Sequence, residues 1–295
     1  MQVERRVSLS KIDLHCHSHF SDGRLSIEEL IDRAHNMQVD VLAITDHDTV
    51  AGIQSAMNYQ SGQKRAMTLI PGVEISTGWH NFDIHILGLN LDYRDARLIE
   101  RLELQGQSRD ERARKIAEKL EKAGVAGCYE RAREIAGVGQ ITRAHFARVL
   151  LEKGVVDSLE KAFKKYLGKG ERAHVKPQWI DIPTAIKWIH DAGGKAVLAH
   201  PGHYDLSAKW LRRLIVEFKQ SGGDGIEVIH SHLSPQRKQQ MVDYATEYQL
   251  EASAGSDFHF PNRWTELGKN LSLPEQVVPI WHNWIFKPLS KRESA

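Results

Sequence analysis

Six histidines and three carboxylates stand at or near the ends of short hydrophobic segments: His15, His17, Asp22, His47, Glu74, His85, His200, Asp257 and His259. Nine such groups exceed the needs of one ion and suit a cluster of about two or three divalent cations, which activate water and clamp phosphate oxygens. In Asp13-Leu14-His15-Cys16-His17 the two imidazoles are two residues apart, so on a strand they share a face and can reach one ion. A turn at Ser21-Asp22-Gly23 would swing the Asp22 carboxylate back over that strand end. Alone, such a pair fits a surface or packing role equally well; the other segments give it weight.

Val41 to Thr45 is an apolar run ending in Asp46-His47-Asp48. His47 is the ligand candidate, with Asp46 and Asp48 as acceptors that orient imidazoles. Asp48 and Thr49 also suit the cap of a following helix. Leu69 to Val73 ends in Glu74, a carboxylate placed to bridge two cations. His85 lies inside the apolar run Ile84 to Leu89, where a core hydrogen bond would be the usual explanation, and only the other candidates reverse that. Ala196 to Ala199 delivers His200 before a break at Pro201-Gly202, and Asp257 and His259 form a second same-face pair. His35, His190 and His282 fall in polar or helical context and read as surface residues. His19, His203, His230 and His232 lie near the motifs but outside the metal shell, although His230 or His232 could line the pocket.

These groups need a scaffold that brings distant strand ends together. Short runs rich in β-branched residues alternate with helical patterns, the signature of βα units around a parallel sheet or barrel. About seven strands are expected, over Lys11 to His17, Asp40 to Thr45, Met67 to Ile75, Phe82 to Leu89, Lys195 to Ala199, Gly225 to Ile229 and Glu251 to Gly255. Ser26 and Glu29 form a capping box for a helix to Met37, and Pro183 to Ala192, Lys209 to Gln220 and Pro235 to Tyr248 read as helices too, with Gly193 and Gly222 as stops. Between 94 and 176 no strand is evident, and charged helical segments take over at Asp95 to Ala123, Tyr129 to Ala136, Thr142 to Lys153 and Ser158 to Leu167. The expected organisation is a barrel domain from 1–93 and 177–295 with an all-helical insertion at 94–176. Beyond Pro261 the signals weaken, and Lys287 to Ala295 reads as a loose end.

Forty Lys and Arg nearly balance 38 Asp and Glu, so no whole-chain field attracts nucleic acid, and anion binding must come from a local patch. Cys16 and Cys128 are too few for a disulfide framework or a thiolate metal site. Met1 to Ser10 lacks the apolar stretch of a secretory signal, and no run approaches the roughly 18 apolar residues of a membrane span. These features lead us to expect a cytoplasmic protein with neither a membrane segment nor an obligate protein partner.

The segments HCHSHFSDG, ITDHD, PGVEIS, IHILG, AHPG and GSDFH resemble those of the PHP superfamily along nearly the whole chain. The resemblance implies an α/β fold, a distorted seven-stranded (β/α) barrel, with the nine residues above as metal ligands at the C-terminal strand ends. It implies manganese, although mixed His and carboxylate ligands also accept zinc or iron. Further stretches, GVEIST, ITRAHFARVL, FKKYL and GGKAVLAHPG, are similar to the ribonuclease AM branch, also described as 3',5'-nucleoside bisphosphate phosphatases. That branch implies removal of the 3'-phosphate of bisphosphate nucleotides and 5' to 3' degradation of RNA, so the expected partners are nucleotides and RNA 5' ends.

For such a reaction, a metal-bound hydroxide bridging two ions roughly 3.5 to 4 Å apart would attack phosphorus, with His203 a candidate general acid. The second phosphate would be held by Arg143 and His145 at a helix start, Arg148 one turn on, and Lys169. Lys164 and Lys165 read mainly as a solvated face, and Tyr166, Trp179 and Tyr204 as packing residues that could also stack a base. Three competing readings are weighed. A small-metabolite phosphatase of the histidinol phosphate type would use the same cluster but would not explain the insertion. A nonhydrolytic binding module would be expected to have lost ligands. An amidohydrolase acting on carbon–nitrogen bonds would be expected to place a carboxylated lysine at a strand end, where no Lys occurs.

Overall fold

In a computed structural model, the described residues are 11–284; Met1 to Ser10 and the tail from Lys287 lie outside them. The strands are β1 (Ile12–Asp13), β2 (Val41–Ile44), β3 (Thr68–Trp79), β4 (Phe82–Leu89), β5 (Ile180–Asp181), β6 (Lys195–Leu198), β7 (Gly225–His230) and β8 (Glu251–Gly255). They pair in the order β1-β2-β3-β4-β6-β7-β8, with β5 attached to β3. The backbone N–H of Leu14 donates to the carbonyl of Ala254 at 3.0 Å, and Cys16 bridges Phe258. First and last strands therefore meet, curling the sheet into a nearly closed seven-stranded barrel. The two-residue β5 is too short to leave a sequence pattern.

One strand departs from the parallel expectation. Only His80 and Asn81 separate β3 from β4, whereas a parallel crossover needs about a dozen residues. The pair is accordingly an antiparallel hairpin, with His80 in the left-handed region at φ 51°, and β4 pairs antiparallel with β6 as well. β4 thus runs opposite to its neighbours, which is why His85 enters the site from within a strand.

The helices around the barrel are α1 (Ile27–Asn36), α2 (Ile53–Ser61), α3 (Ala96–Lys122), α4 (Cys128–Ala136), α5 (Arg143–Glu152), α6 (Leu159–Ala162), α7 (Ile182–Asp191), α8 (Ala208–Gln220) and α9 (Pro235–Glu247). Ser26 and Glu29 make the expected capping box on α1. α2 starts at Gly52 with no side-chain cap, and Asp48 and Thr49 do not cap it. After α6 the chain widens into a π turn at Phe163–Leu167 rather than continuing as one α-helix. From 96 to 167 every element is helical, and a separate core of Ile116, Leu120, Ala132, Phe146 and Leu150 lies there, while Leu98 and Leu102 at the start of α3 pack into the barrel's own core.

Inside the barrel, Leu14, Val41, Ala43, Ile70, Leu87, Leu89, Val197 and Ala199 form one apolar cluster beneath the ligand residues, completed by Ile280. Ile280 is delivered by a return of the chain: Ala252 donates to Val278 at 2.7 Å and Ile280 donates to Ala252 at 2.8 Å. The barrel wall is tightest at Gly255, where an added Cβ would lie 2.2 Å from His15 Cβ and 2.7 Å from a Glu227 carboxylate oxygen. Gly255→Ala is expected to cost about 1–3 kcal/mol by overpacking and to displace His15. Urea unfolding and metal titration of that variant would show both effects.

Candidate metal centre

The period of two along a strand puts His85 on the same face as Leu87 and Leu89, and Glu74 on the same face as Ile70. The parallel strands deliver the other groups at their C-terminal ends, the working end of a barrel. β1 leads into His15 and His17, β2 into His47, β6 into His200 and β8 into Asp257 and His259. His200 (φ 32°) and Asp257 (φ 53°) both have left-handed backbone, which is uncommon for non-glycine residues and concentrates at functional sites.

All nine candidates converge. Glu74 stands at the centre: Oε1 is 2.9 Å from His85 Nδ1 and 2.9 Å from His200 Nε2, and Oε2 is 2.9 Å from His47 Nδ1 and 3.3 Å from His17 Nε2. Asp257 Oδ1 lies 3.4 Å from His15 Nε2 and 3.3 Å from His17 Nε2, and Asp22 Oδ1 lies 3.2 Å from His259 Nε2. The groups form three overlapping sets whose ligand atoms lie within 4.8 Å of one another: His17, Asp22, His47 and His259; His15, His17 and Asp257; His47, Glu74 and His85.

These residues fit divalent cations on three observations. Asp22 Oδ1 and His47 Nδ1 are buried without a hydrogen-bond partner, although His47 Nδ1 is close to Glu74. His15 Nε2 and His17 Nε2 face each other at 3.2 Å, close enough to serve one shared cation. The donors are mixed nitrogen and oxygen with no thiolate, which suits manganese, zinc or iron.

The electrostatics point the same way. Burial works against charge on every group, yet surrounding imidazoles hold the carboxyls of Asp22, Glu74 and Asp257 well below the usual range. The carboxylates in turn overcome burial to raise His15, His17 and His200, and lift His259 to about 10; at His47 burial prevails and the shift is downward. An imidazole must give up its proton to become a ligand, so cation uptake near neutral pH releases protons. Cation affinity should therefore fall as pH falls from about 10, the value for His259. Calorimetric titration in buffers of differing ionisation enthalpy would read the protons released.

Supporting groups brace the ligands. Glu227, not anticipated from sequence, is fully buried on β7; it lies 3.1 Å from His15 Nδ1 and accepts the His200 backbone N–H at 2.6 Å. Its signal was present, a lone carboxylate inside a β-branched strand. Glu227→Gln should weaken metal affinity or turnover about 10–100-fold, since such partners fix the ring orientation of a ligand. Asp46 and Asp48 do not hold imidazoles directly. Asp46 accepts from Ser18 Oγ and Ser21 Oγ at 2.6 Å each, with Ser21 Oγ 3.3 Å from His17 Nδ1, whereas Asp48 accepts from Ser76 N and Arg109.

Beside the cluster lies a pocket lined by Asp22, His47 and His85 together with Asp83, Arg109, Arg112, Arg143, Phe163 and Trp179. Arg109 and Arg112 escaped sequence reasoning because α3 is crowded with charge. Both guanidiniums lie over Trp179, at 5.0 and 5.4 Å. Arg112 has one buried nitrogen without a partner, and burial beside Arg143 and Arg109 pulls its pKa down to about 10. The N-terminus of α5, at Thr142, Arg143 and Ala144, opens into the same pocket.

Of the remaining sequence candidates, most fall outside this pocket. His145 is buried and closes the α5 cap, accepting the Thr142 N–H at 3.0 Å; Arg148 lies further along the helix. Lys169 lines an adjoining pocket that shares Asp83 and Arg143, where it donates to Asn81 O at 2.9 Å. His203 packs against His230 with ring centroids 3.9 Å apart, and burial and His200 lower its pKa, a poor state for a proton donor. Trp179 lines the pocket, while Tyr204 donates its hydroxyl to His85 N at 2.8 Å.

Comparison with known proteins agrees with this geometry. The chain is 50% identical over 272 residues to a 5'-3' exoribonuclease Rnm of Escherichia coli, covering 92% of this chain and 93% of that protein. It is 39% identical to a 3',5'-nucleoside bisphosphate phosphatase of Chromobacterium violaceum, covering 92% and 96%. A solved structure described as an amidohydrolase from Chromobacterium violaceum, with bound sulfate and no metal, superposes with a TM-score of 0.86 at 39% identity over 92% of this chain and 95% of that one. Residues 13–173 match the PHP domain. With the barrel, the convergent ligand set and these relatives in agreement, the chain belongs to the PHP domain family.

Proposed function

We propose that this protein hydrolyses the 3'-phosphoester of nucleotides that carry a 5'-phosphate, acting both on 3',5'-bisphosphate nucleotides and on the 5' end of RNA. One observation carries the reading: three arginines line the same pocket as the candidate ligands Asp22, His47 and His85. Like charges crowded together are costly, and among the described residues the carboxylates that pair with them are Asp48, with Arg109, and Asp83, 3.6 Å from Arg143. An anionic guest removes that cost. A terminal phosphate held there by guanidiniums and the α5 N-terminus would set its own nucleotide's 3'-phosphoester over the cluster.

His15, His17, Asp22, His47, Glu74, His85, His200, Asp257 and His259 would hold two or three divalent ions, manganese being our choice. When bound, such ions acidify water and neutralise phosphoryl charge. The chain's own contribution is position: Arg109, Arg112 and Arg143 fix the 5'-phosphate, and Trp179 keeps two guanidiniums aligned. Lys169 adds positive charge in the adjoining pocket. Water's oxygen joins phosphorus, the bond from phosphorus to the 3'-oxygen breaks, and that oxygen takes up a proton. From a bisphosphate nucleotide the products are a 5'-mononucleotide and inorganic phosphate. From RNA they are the same mononucleotide and a shortened chain that again begins with a 5'-phosphate, so the enzyme can repeat the step. The names of the two relatives describe one reaction on two substrates.

The test is turnover by manganese-loaded protein of adenosine 3',5'-bisphosphate, a 5'-phosphorylated oligoribonucleotide and its 5'-hydroxyl counterpart. The first two should react and the third should lag by at least about tenfold, the effect of losing one charge-assisted contact. Rapid turnover of a sugar or amino-alcohol phosphate with neither nucleotide cleaved would return the histidinol phosphate reading to first place.

A further inference from the structure

On RNA, the phosphate under attack is joined through its other ester oxygen to the rest of the chain, which must leave the cluster somewhere. The arginine pocket adjoins His85 and His47, and beyond it stand Phe163 and Trp179. His259, 3.2 Å from Asp22 Oδ1, does not line that pocket and stands at an end of the cluster next to a different surface. The surface at that end has an unusual composition. Arg24, two residues past Asp22, donates its backbone N–H to His259 O at 2.8 Å, joining the two ligand loops. Its guanidinium covers the ring of Phe260 at 3.9 Å, and Arg263 lies 5.0 Å from the ring of Trp264. Trp264 is 66% exposed, the only aromatic among the exposed large apolar side chains of the described residues.

Hydrogen bonds hold the backbone of this positively charged surface. Asn262 Oδ1 accepts the backbone N–H groups of both Trp264 and Thr265 at 2.8 Å, and buried Thr265 lies 2.8 Å from His232 Nε2. Arg148 of α5 is near enough for its charge to bear on Arg24. Among the described residues, Arg24, Arg148 and Arg263 form no ion pair with a carboxylate, unlike Arg33, Arg65, Arg97, Arg101, Arg114 and Arg131. Unpaired guanidiniums beside open aromatic faces are the surface that single-stranded nucleic acid uses, phosphates on the cations and bases on the rings.

We propose that Arg24, Phe260, Arg263 and Trp264, together with Arg148, form the track that holds the RNA nucleotides following the cut, with a base stacked on Trp264. The inference rests on the nucleotide reading above and adds what separates the two substrates: a bisphosphate nucleotide ends at the scissile phosphate and never reaches the track, whereas RNA lies along it.

The experiment compares wild type, Trp264→Ala, Trp264→Phe and the double variant Trp264→Ala/Arg263→Gln. Each is assayed for kcat/KM on adenosine 3',5'-bisphosphate and on a 5'-phosphorylated ten-nucleotide RNA. Trp264→Ala should lower kcat/KM on RNA at least about fivefold, the low end for one base–aromatic stack, mainly through KM, and leave the bisphosphate unchanged. Trp264→Phe should recover most of the loss, and the double variant should lose more. Equal values for both substrates, or a parallel fall in both, would overturn the track. Fluorescence anisotropy with the same labelled RNA in EDTA gives a readout independent of turnover. Weaker binding by Trp264→Ala supports the track even if wild type cleaves neither substrate, in which case the nucleotide reading fails separately. Unchanged binding with normal cleavage by every variant assigns Trp264 to another partner and overturns the proposal.

Discussion

Glu74→Gln is expected to lose bound cations and turnover together, with kcat/KM on either nucleotide substrate down at least about a thousandfold, near 4 kcal/mol of barrier. The side chain is almost fully buried and lies within 3.4 Å of His15, His17, His47, His85 and His200. The amide keeps the volume but removes the one negative charge common to five imidazoles and presents N–H groups to ring nitrogens. No other single substitution disturbs so many ligands at once. Elemental analysis of the purified variant, set beside wild type, would show the deficit, and circular dichroism would confirm that the barrel persists. Full metal content with undiminished rate would remove Glu74 from the centre of the site.

Arg109→Leu should destabilise the protein by about 3–5 kcal/mol, the range for removing one partner of a buried ion pair. Arg109 reaches from α3 to Asp48 Oδ2 at 2.8 Å and to Ser76 Oγ at 2.6 Å, and Asp48 is entirely sequestered. Leucine would leave that carboxylate uncompensated against the barrel. Equilibrium urea unfolding gives the loss, and Arg109→Leu/Asp48→Asn should recover much of it, because the amide strands no charge yet keeps an oxygen for the Ser76 N–H and tolerates the left-handed backbone at φ 50°. The single variant should also bind 5'-phosphorylated nucleotides more weakly, since Arg109 lines the arginine pocket. A single variant as stable as wild type would mean that the pair contributes nothing to docking α3 on the barrel.

Much of the convergence at the candidate site was legible in the sequence because the candidate ligands stand where apolar runs stop. His47, His200 and Asp257 each end a strand-like segment, and the same-face spacing of His15 and His17 is a local property of any strand. His85 was harder: its strand is inverted, so it sits inside an apolar run, yet the six residues left between the expected strands, 76–81, were already too few for a parallel crossover. Glu227 was hidden within β7, where one carboxylate among β-branched residues can be a packing exception as easily as a brace. Arg109 and Arg112 were hidden for the opposite reason, since α3 carries so many charges that no single face announces a pocket. Ile280 left no periodic trace, because its pairing with Ala252 depends on a long return of the chain rather than on local pattern.

The closure of the barrel has a consequence for how the molecule comes into being. Ser256 N donates to Asp13 Oδ1 across 243 residues, and His15 and His17 meet Asp257 at the seam between first and last strands. Contacts so distant along the chain form late, because loop closure must precede any reward from them. The pocket therefore cannot exist in a nascent or half-folded chain, however well its early segments have collapsed. Hydrolytic competence should appear in a single late step of refolding, together with closure of the seam.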